Sequence, residues 1–99
     1  MIHVLAIITA KSGQRATLLQ AFKAIIPTVQ AEAGCIEYGP VVDVDGADPA
    51  FGPDTFVVVE KWESMVALEA HALAAHMKAY GEKTRELVAK RAVHVLTDA

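Results

Sequence analysis

The feature that most limits this chain is the order in which its hydrophobic period switches between two residues and about 3.6. "IHVLAIITA" (2–10) is short and rich in β-branched residues. It predicts a strand buried on both faces over much of its length. His3 and Thr9 fall on one face, and Val4, Ala6 and Ile8 on the other. In "KSGQRATLLQAFKAIIPTVQAEAG", Leu18, Leu19, Phe22, Ile25, Ile26 and Val29 recur at helical spacing and make one apolar stripe. Ser12 is the expected N-cap and Gly34 the expected stop. Pro27 is expected to kink the helix near Lys23 or Ala24.

"CIEYGPVVDVD" (35–45) alternates and predicts a second strand, with Gly39–Pro40 as a bulge or edge feature. "GADPAFGPD" (46–54) is a loop, and "TFVVVEKW" (55–62) a third strand pairing back on the second. Phe56, Val58, Glu60 and Trp62 share one of its faces. Ser64 caps a second helix whose apolar side is expected to carry Met65, Leu68, Ala72 and Leu73 or Ala75. Helical spacing continues through Met77, Tyr80, Thr84, Leu87 and Val88, with Gly81 as the weak point. "AVHVLT" (92–97) is the last strand. The order β-α-β-β-α-β predicts one ferredoxin-like α+β domain over residues 1–99, a four-stranded antiparallel sheet with helices on one face.

That layering leaves the second sheet face without cover, although the strands are apolar on both sides. Of the 99 residues, 54% are hydrophobic, above the roughly 45–50% of average domains. No run of about 20 apolar residues could take the surplus into a membrane. A second copy packed sheet to sheet, giving a barrel-like homodimer, would cover the face. An apolar ligand held between helices and sheet would use the surplus as well, and the two are compatible.

The net charge is −3 and the nine Lys and Arg form no stripe, which argues against nucleic acid as a partner. "EKTRELVAKR" (82–91) interleaves Glu with the cations and reads as a solvated helix face. The single Cys35 allows no internal disulfide and suits a reducing cytoplasm. The first residues lack a basic region and a small-residue cleavage site, and read as a strand rather than a signal peptide.

"AEAGCIEYG" and "FVVVEKWESMVALEAHALAAHMKAY" together resemble the antibiotic biosynthesis monooxygenase family, including its small quinol monooxygenases. The pattern is carried by Glu32, Gly34, Cys35, Tyr38, Glu60, Trp62, Ser64 and His71. The resemblance implies a dimeric α+β barrel. It also implies oxygenation by O2 of a quinol, phenol or polyketide-like aromatic, with no metal, flavin or haem. A deprotonated quinol is itself an electron donor to O2, so the protein has to bind a flat ring, stabilise an anion and exclude water. No metal-ligand spacing and no phosphate-binding loop contradicts this.

Other branches of the superfamily degrade haem, using an Asn on the first strand and a late helical His. Here the first strand has no Asn, and Gly81 stands about where that His would fall. Another branch isomerises or degrades a small phosphorylated signalling metabolite. It would need cations for phosphate, and the sequence places none clearly. Two further alternatives are a non-catalytic dimeric module that binds a small apolar metabolite, and a structural stress protein with an unused pocket.

Six residues are the candidates for a site between sheet and helices. Imidazole is the side chain best suited to proton relay near neutral pH, and His71 is the candidate acid/base, against a helix His bonded only to solvent or a carboxylate. Glu60, an acid on an apolar strand face, is its candidate orienter or charge partner, against an ion pair across the dimer. Trp62 and Tyr80 are candidate ring contacts, against plain packing. Tyr38 is a candidate hydrogen-bond donor to a ring oxygen. His76 is a further candidate substrate contact; five residues from His71 in a regular helix, it would sit about 140° away, a poor spacing for joint metal binding, which favours i, i+4. Cys35 reads as a small buried hydrophobe, and His3 and His94 as structural.

Overall fold

The computed structural model describes residues 1–99 and carries eight elements. They are β1 (Ile2–Ala10), α1 (Arg15–Gln30), β2 (Cys35–Val41), β3 (Thr55–Trp62), α2 (Met65–Leu73), α3 (Ala75–Thr84), a 3-10 turn (Arg85–Leu87) and β4 (Val88–Thr97). The sheet runs β2-β3-β1-β4 and every pairing is antiparallel. This is the α+β arrangement expected, with β1 central, in register with β3 from Ile2↔Trp62 to Thr9↔Thr55.

The helix layer covers the face that carries Val4, Ala6, Phe56, Val58 and Trp62, all buried. α1 contributes Leu18, Phe22 and Val29, the predicted stripe, with Leu19, Ile25 and Ile26 packed partly against the same core. Phe22 is its hub: its ring lies 5.4 Å from Tyr38 and 5.6 Å from Phe56, offset and tilted as aromatic pairs prefer.

Several local expectations are corrected. Ser12 is not the cap of α1; the helix begins at Arg15, and Gly13, at φ +76, makes the turn before it. The N-terminus is held instead by Arg15 Nη1 donating to the Thr55 carbonyl at 3.1 Å. α1 stops at Ala31, and Gly34, at φ +84, opens β2. The register slip of β2 lies between Cys35 and Glu37, while Gly39 and Pro40 stay paired with Val59 and Val58. An edge strand tolerates Pro40 because its missing N–H can face outward. β2 ends at Val41, and the loop to β3 is tied by the Asp43 carboxylate, which accepts from the N–H of Phe51 and Gly52.

Ser64 caps α2 as expected, accepting from Ala67 N–H at 3.2 Å. The inward face of α2 is Ala67, Leu68 and His71, whereas Met65, Ala72, Leu73 and Ala75 are exposed. The helical stretch breaks at Ala74, in extended backbone with ψ 141, and Gly81 sits inside α3 without interrupting it. β4 starts at Val88, four residues before the predicted strand, so 82–91 is not one solvated helix face.

β1 is buried on one face only. Leu5 is 37% exposed on the other, and on β4 Val95 is 48% and Leu96 45% exposed, on opposite faces. No helix is long and apolar enough to cross a membrane.

Candidate functional site

A cavity of about 590 Å³ opens between the sheet and the α2–α3 layer. Its floor is Ala6, Ile8 and Val58, its walls include Phe22, Tyr38, Leu68 and Tyr80, and Glu60 and His71 place polar atoms among them. The apolar floor and walls suit the face of a flat ring.

His71 reaches this cavity from the last turn of α2 and is buried. Its Nδ1 lies 2.9 Å from Glu32 Oε2. A carboxylate only accepts, so Nδ1 donates, and in the neutral ring the lone pair is then on Nε2. Nε2 has no protein partner, yet no fully buried side-chain polar atom is unpartnered, so Nε2 faces open space. The imidazole rests on Trp62, with centroids 4.7 Å apart, and meets the edge of Tyr38 at 5.4 Å.

The expected pairing of His71 with Glu60 is replaced by His71 with Glu32. Glu60 Oε1 instead accepts from Trp62 Nε1–H at 2.9 Å. Burial raises the Glu60 carboxyl above its ordinary range, opposed by the Trp62 hydrogen bond and the nearby His71 and Arg91 charges. Trp62 is fully buried and does not line the cavity, so it is a support for His71 and Glu60 rather than a ring contact. Tyr38 and Tyr80 do line it. Burial, first among the causes, drives both phenols upward, so both are hydrogen-bond donors at neutral pH. Cys35 is half-buried; burial and then the charges of Glu32 and Glu60 raise its thiol, which disfavours the nucleophilic thiolate.

His76 lies outside the cavity lining, but its Nε2 also meets Glu32 Oε2 at 2.9 Å. The 140° separation belongs to a regular helix, and the break at Ala74 removes that premise. Glu32, His71 and His76 thus bring three possible metal-ligand atoms within 4.8 Å of one another.

The sequence also concealed the cations. Lys78, Arg85, Lys90 and Arg91, four of the chain's nine Lys and Arg, line the cavity, and Glu60 is the only acid that does. Two lie on α3 and the turn after it; two lie on β4, where Arg91 pairs with Ile8 and shares its face. Helical spacing of Lys78 with Arg85 was a usable signal. The early start of β4 was not.

Residues 1–83 match the family model described as "Antibiotic biosynthesis monooxygenase". The chain is 39% identical over 100 residues to the Escherichia coli K12 protein named "Probable quinol monooxygenase YgiN", covering 97% of this chain and 96% of that one. Among solved structures it is similar to SO0527 from Shewanella oneidensis, at 28% identity and TM-score 0.82, covering 96% and 87% of the two chains. It also superposes on PA3566 from Pseudomonas aeruginosa, at 24% identity and TM-score 0.83, covering 99% and 93%.

Proposed function

The chain belongs to the antibiotic biosynthesis monooxygenase family, and from that premise we propose that it oxygenates a quinol, phenol or related aromatic with O2. The observation that carries the reading is the orientation of His71: Glu32 holds its Nδ1–H, which leaves Nε2 free beside the cavity. Nε2 takes the proton of a ring hydroxyl, and the resulting imidazolium is stabilised by the Glu32 carboxylate. Arg91 and the Tyr38 and Tyr80 hydroxyls stabilise the ring oxyanion. The anion then gives electrons to O2 without help from a bound metal, flavin or haem. For a benzoquinol, quinol plus O2 becomes hydroxybenzoquinone plus water: one oxygen atom enters the ring, the other leaves as water, and the ring supplies all four electrons that O2 takes.

The active form is a homodimer. Leu5 and Leu96 on the open sheet face favour a second copy as its cover. The expectation of a small-molecule partner, with no nucleic acid and no membrane, remains part of this proposal.

The test is oxygen uptake with a panel of quinols in metal-free buffer under air. Catalysed uptake above the spontaneous rate is expected. His71→Ala should lower kcat/KM by about 10²–10⁴, the usual range for a positioned acid or base. No catalysed uptake with any quinol would sink the reading, and ligand binding alone in both proteins would support a binding module instead.

One observation favours a second reading. Four cations around the cavity would suit the phosphorylated signalling metabolite of the related isomerising branch. Turnover of such a phosphate ester, with quinols left unchanged, would select it.

A further inference from the structure

We propose that Glu32, His71 and His76 form a binding site for a divalent cation of the zinc class, and that filling this site withdraws His71 from proton transfer. The first half stands on geometry alone; the second rests on the reading of His71 as the base.

Three ligand atoms converge from three separate segments. Glu32 lies in the α1–β2 connection, His71 in the last turn of α2 and His76 in the first turn of α3. His71 Nδ1 and His76 Nε2 each stand 2.9 Å from the same Glu32 Oε2, and all three atoms lie within 4.8 Å. Zinc bound to nitrogen at 2.0–2.1 Å and to oxygen at 2.0–2.2 Å sets tetrahedral donors about 3.3 Å apart. The two nitrogen–oxygen gaps would therefore widen by about 0.4 Å, and the nitrogen–nitrogen gap is already no more than 4.8 Å. Two imidazoles and a carboxylate are a borderline set suited to zinc, cobalt or nickel, and the carboxylate offsets part of the ion's charge.

The site is also reachable. The His76 side chain is 32% exposed, whereas that of His71 is 8% exposed and faces the cavity. An ion can arrive from solvent at His76 without crossing the substrate space, and water can fill the remaining coordination position.

The chemical consequence follows from the imidazole ring. With Glu32 as partner, His71 carries its proton on Nδ1 and its lone pair on Nε2. A cation on Nδ1 displaces the proton there and binds the Nδ1 lone pair, so the neutral ring carries its proton on Nε2. The nitrogen at the cavity then donates instead of accepting and cannot take a quinol proton. The ring holds one proton before and after: the one displaced from Nδ1 is balanced by the one taken up at Nε2, so this exchange releases no net proton and moves no electron.

The experiment titrates chelator-treated, desalted full-length protein with Zn²⁺ against a chromophoric competitor. One ion per chain is expected. Glu32→Gln and His76→Gln should each weaken binding by more than the 10–100-fold typical of losing an outer-shell partner, and Glu37→Gln, on exposed β2, should not. No stoichiometric binding, or binding unaltered in both site variants, overturns the site. Circular dichroism checks folding, and His76→Gln decides alone if Glu32→Gln does not fold. The second half is read by ¹⁵N NMR of the His71 ring, which should pass from the Nδ1–H to the Nε2–H tautomer as Zn²⁺ is added. A ring that keeps Nδ1–H with zinc bound overturns it, whether or not a quinol is ever turned over. Where oxygen uptake is measurable, it should fall with the same Zn²⁺ midpoint and return with chelator.

Discussion

Gly34→Ala tests how tightly the Glu32 segment is seated against α2. Gly34 has φ +84, and a Cβ built there would lie 2.5 Å from the Ala67 Cβ. Two costs follow. An L-residue in left-handed backbone costs roughly 1–2 kcal/mol, and forcing an extra carbon into a packed contact costs about 1–3 kcal/mol. The reduced freedom of the unfolded chain returns roughly 0.4–1 kcal/mol. The net expectation is a loss of about 2–4 kcal/mol, or a drop in Tm of roughly 10–25 °C for a domain of this size. Urea unfolding at fixed protein concentration measures it. Ala67→Gly in the same background separates the two terms, since it removes the clash and leaves the backbone strain. A coupling of about 1–3 kcal/mol is expected between the two substitutions. A Gly34→Ala loss under about 0.5 kcal/mol, or no coupling with Ala67→Gly, would refute the reasoning. The glycine of the family-like Gly-Cys pair would then need another explanation.

Leu18→Ala, at a fully buried position of α1, should cost about 2–5 kcal/mol in urea unfolding without moving the pH profile of activity. Glu60 binds its proton more tightly in the folded chain than in the unfolded one, because burial raises it. Stability should therefore decline as pH rises from the ordinary carboxylate range through the raised folded value. Glu60→Gln, which keeps an oxygen for Trp62 Nε1–H, should flatten that decline in a comparison of Tm against pH. Equal pH slopes for the two proteins would contradict the burial argument. Leu5→Glu, on the open sheet face beside Val59 and His94, should shift a wild-type dimer toward monomer in sedimentation velocity. A monomeric wild type, or a variant that stays dimeric, would remove the case for a second copy as the cover.

The site was legible only in part. His71, Glu60, Tyr38 and Tyr80 could be nominated because a titratable or hydroxylated side chain at an apolar position of a strand or helix points into the core side of the fold. Their partners could not. Trp62 and Glu60 are two residues apart on one strand face, and their hydrogen bond is compatible with that spacing but not required by it. Glu32 and His71 are separated by 39 positions and meet only because α1 and α2 pack on the same sheet.

What the amino-acid order determined by itself is local and periodic. Alternation placed β3 at 55–62, the apolar rhythm of α1 named its buried stripe, and the Ser64 hydroxyl set the start of α2. Each depends on near neighbours along the chain, which a sequence displays directly. The tertiary structure decided the break at Ala74, where "LAAH" opens with three good helix formers and carries no Gly or Pro stop signal. It also decided the early start of β4, because pairing with β1 supplies hydrogen bonds that outweigh weak helical preference. Those two choices bring His76 to Glu32 and Arg91 to the cavity. Distances between residues far apart in sequence follow from packing against a shared sheet, and no local pattern encodes them.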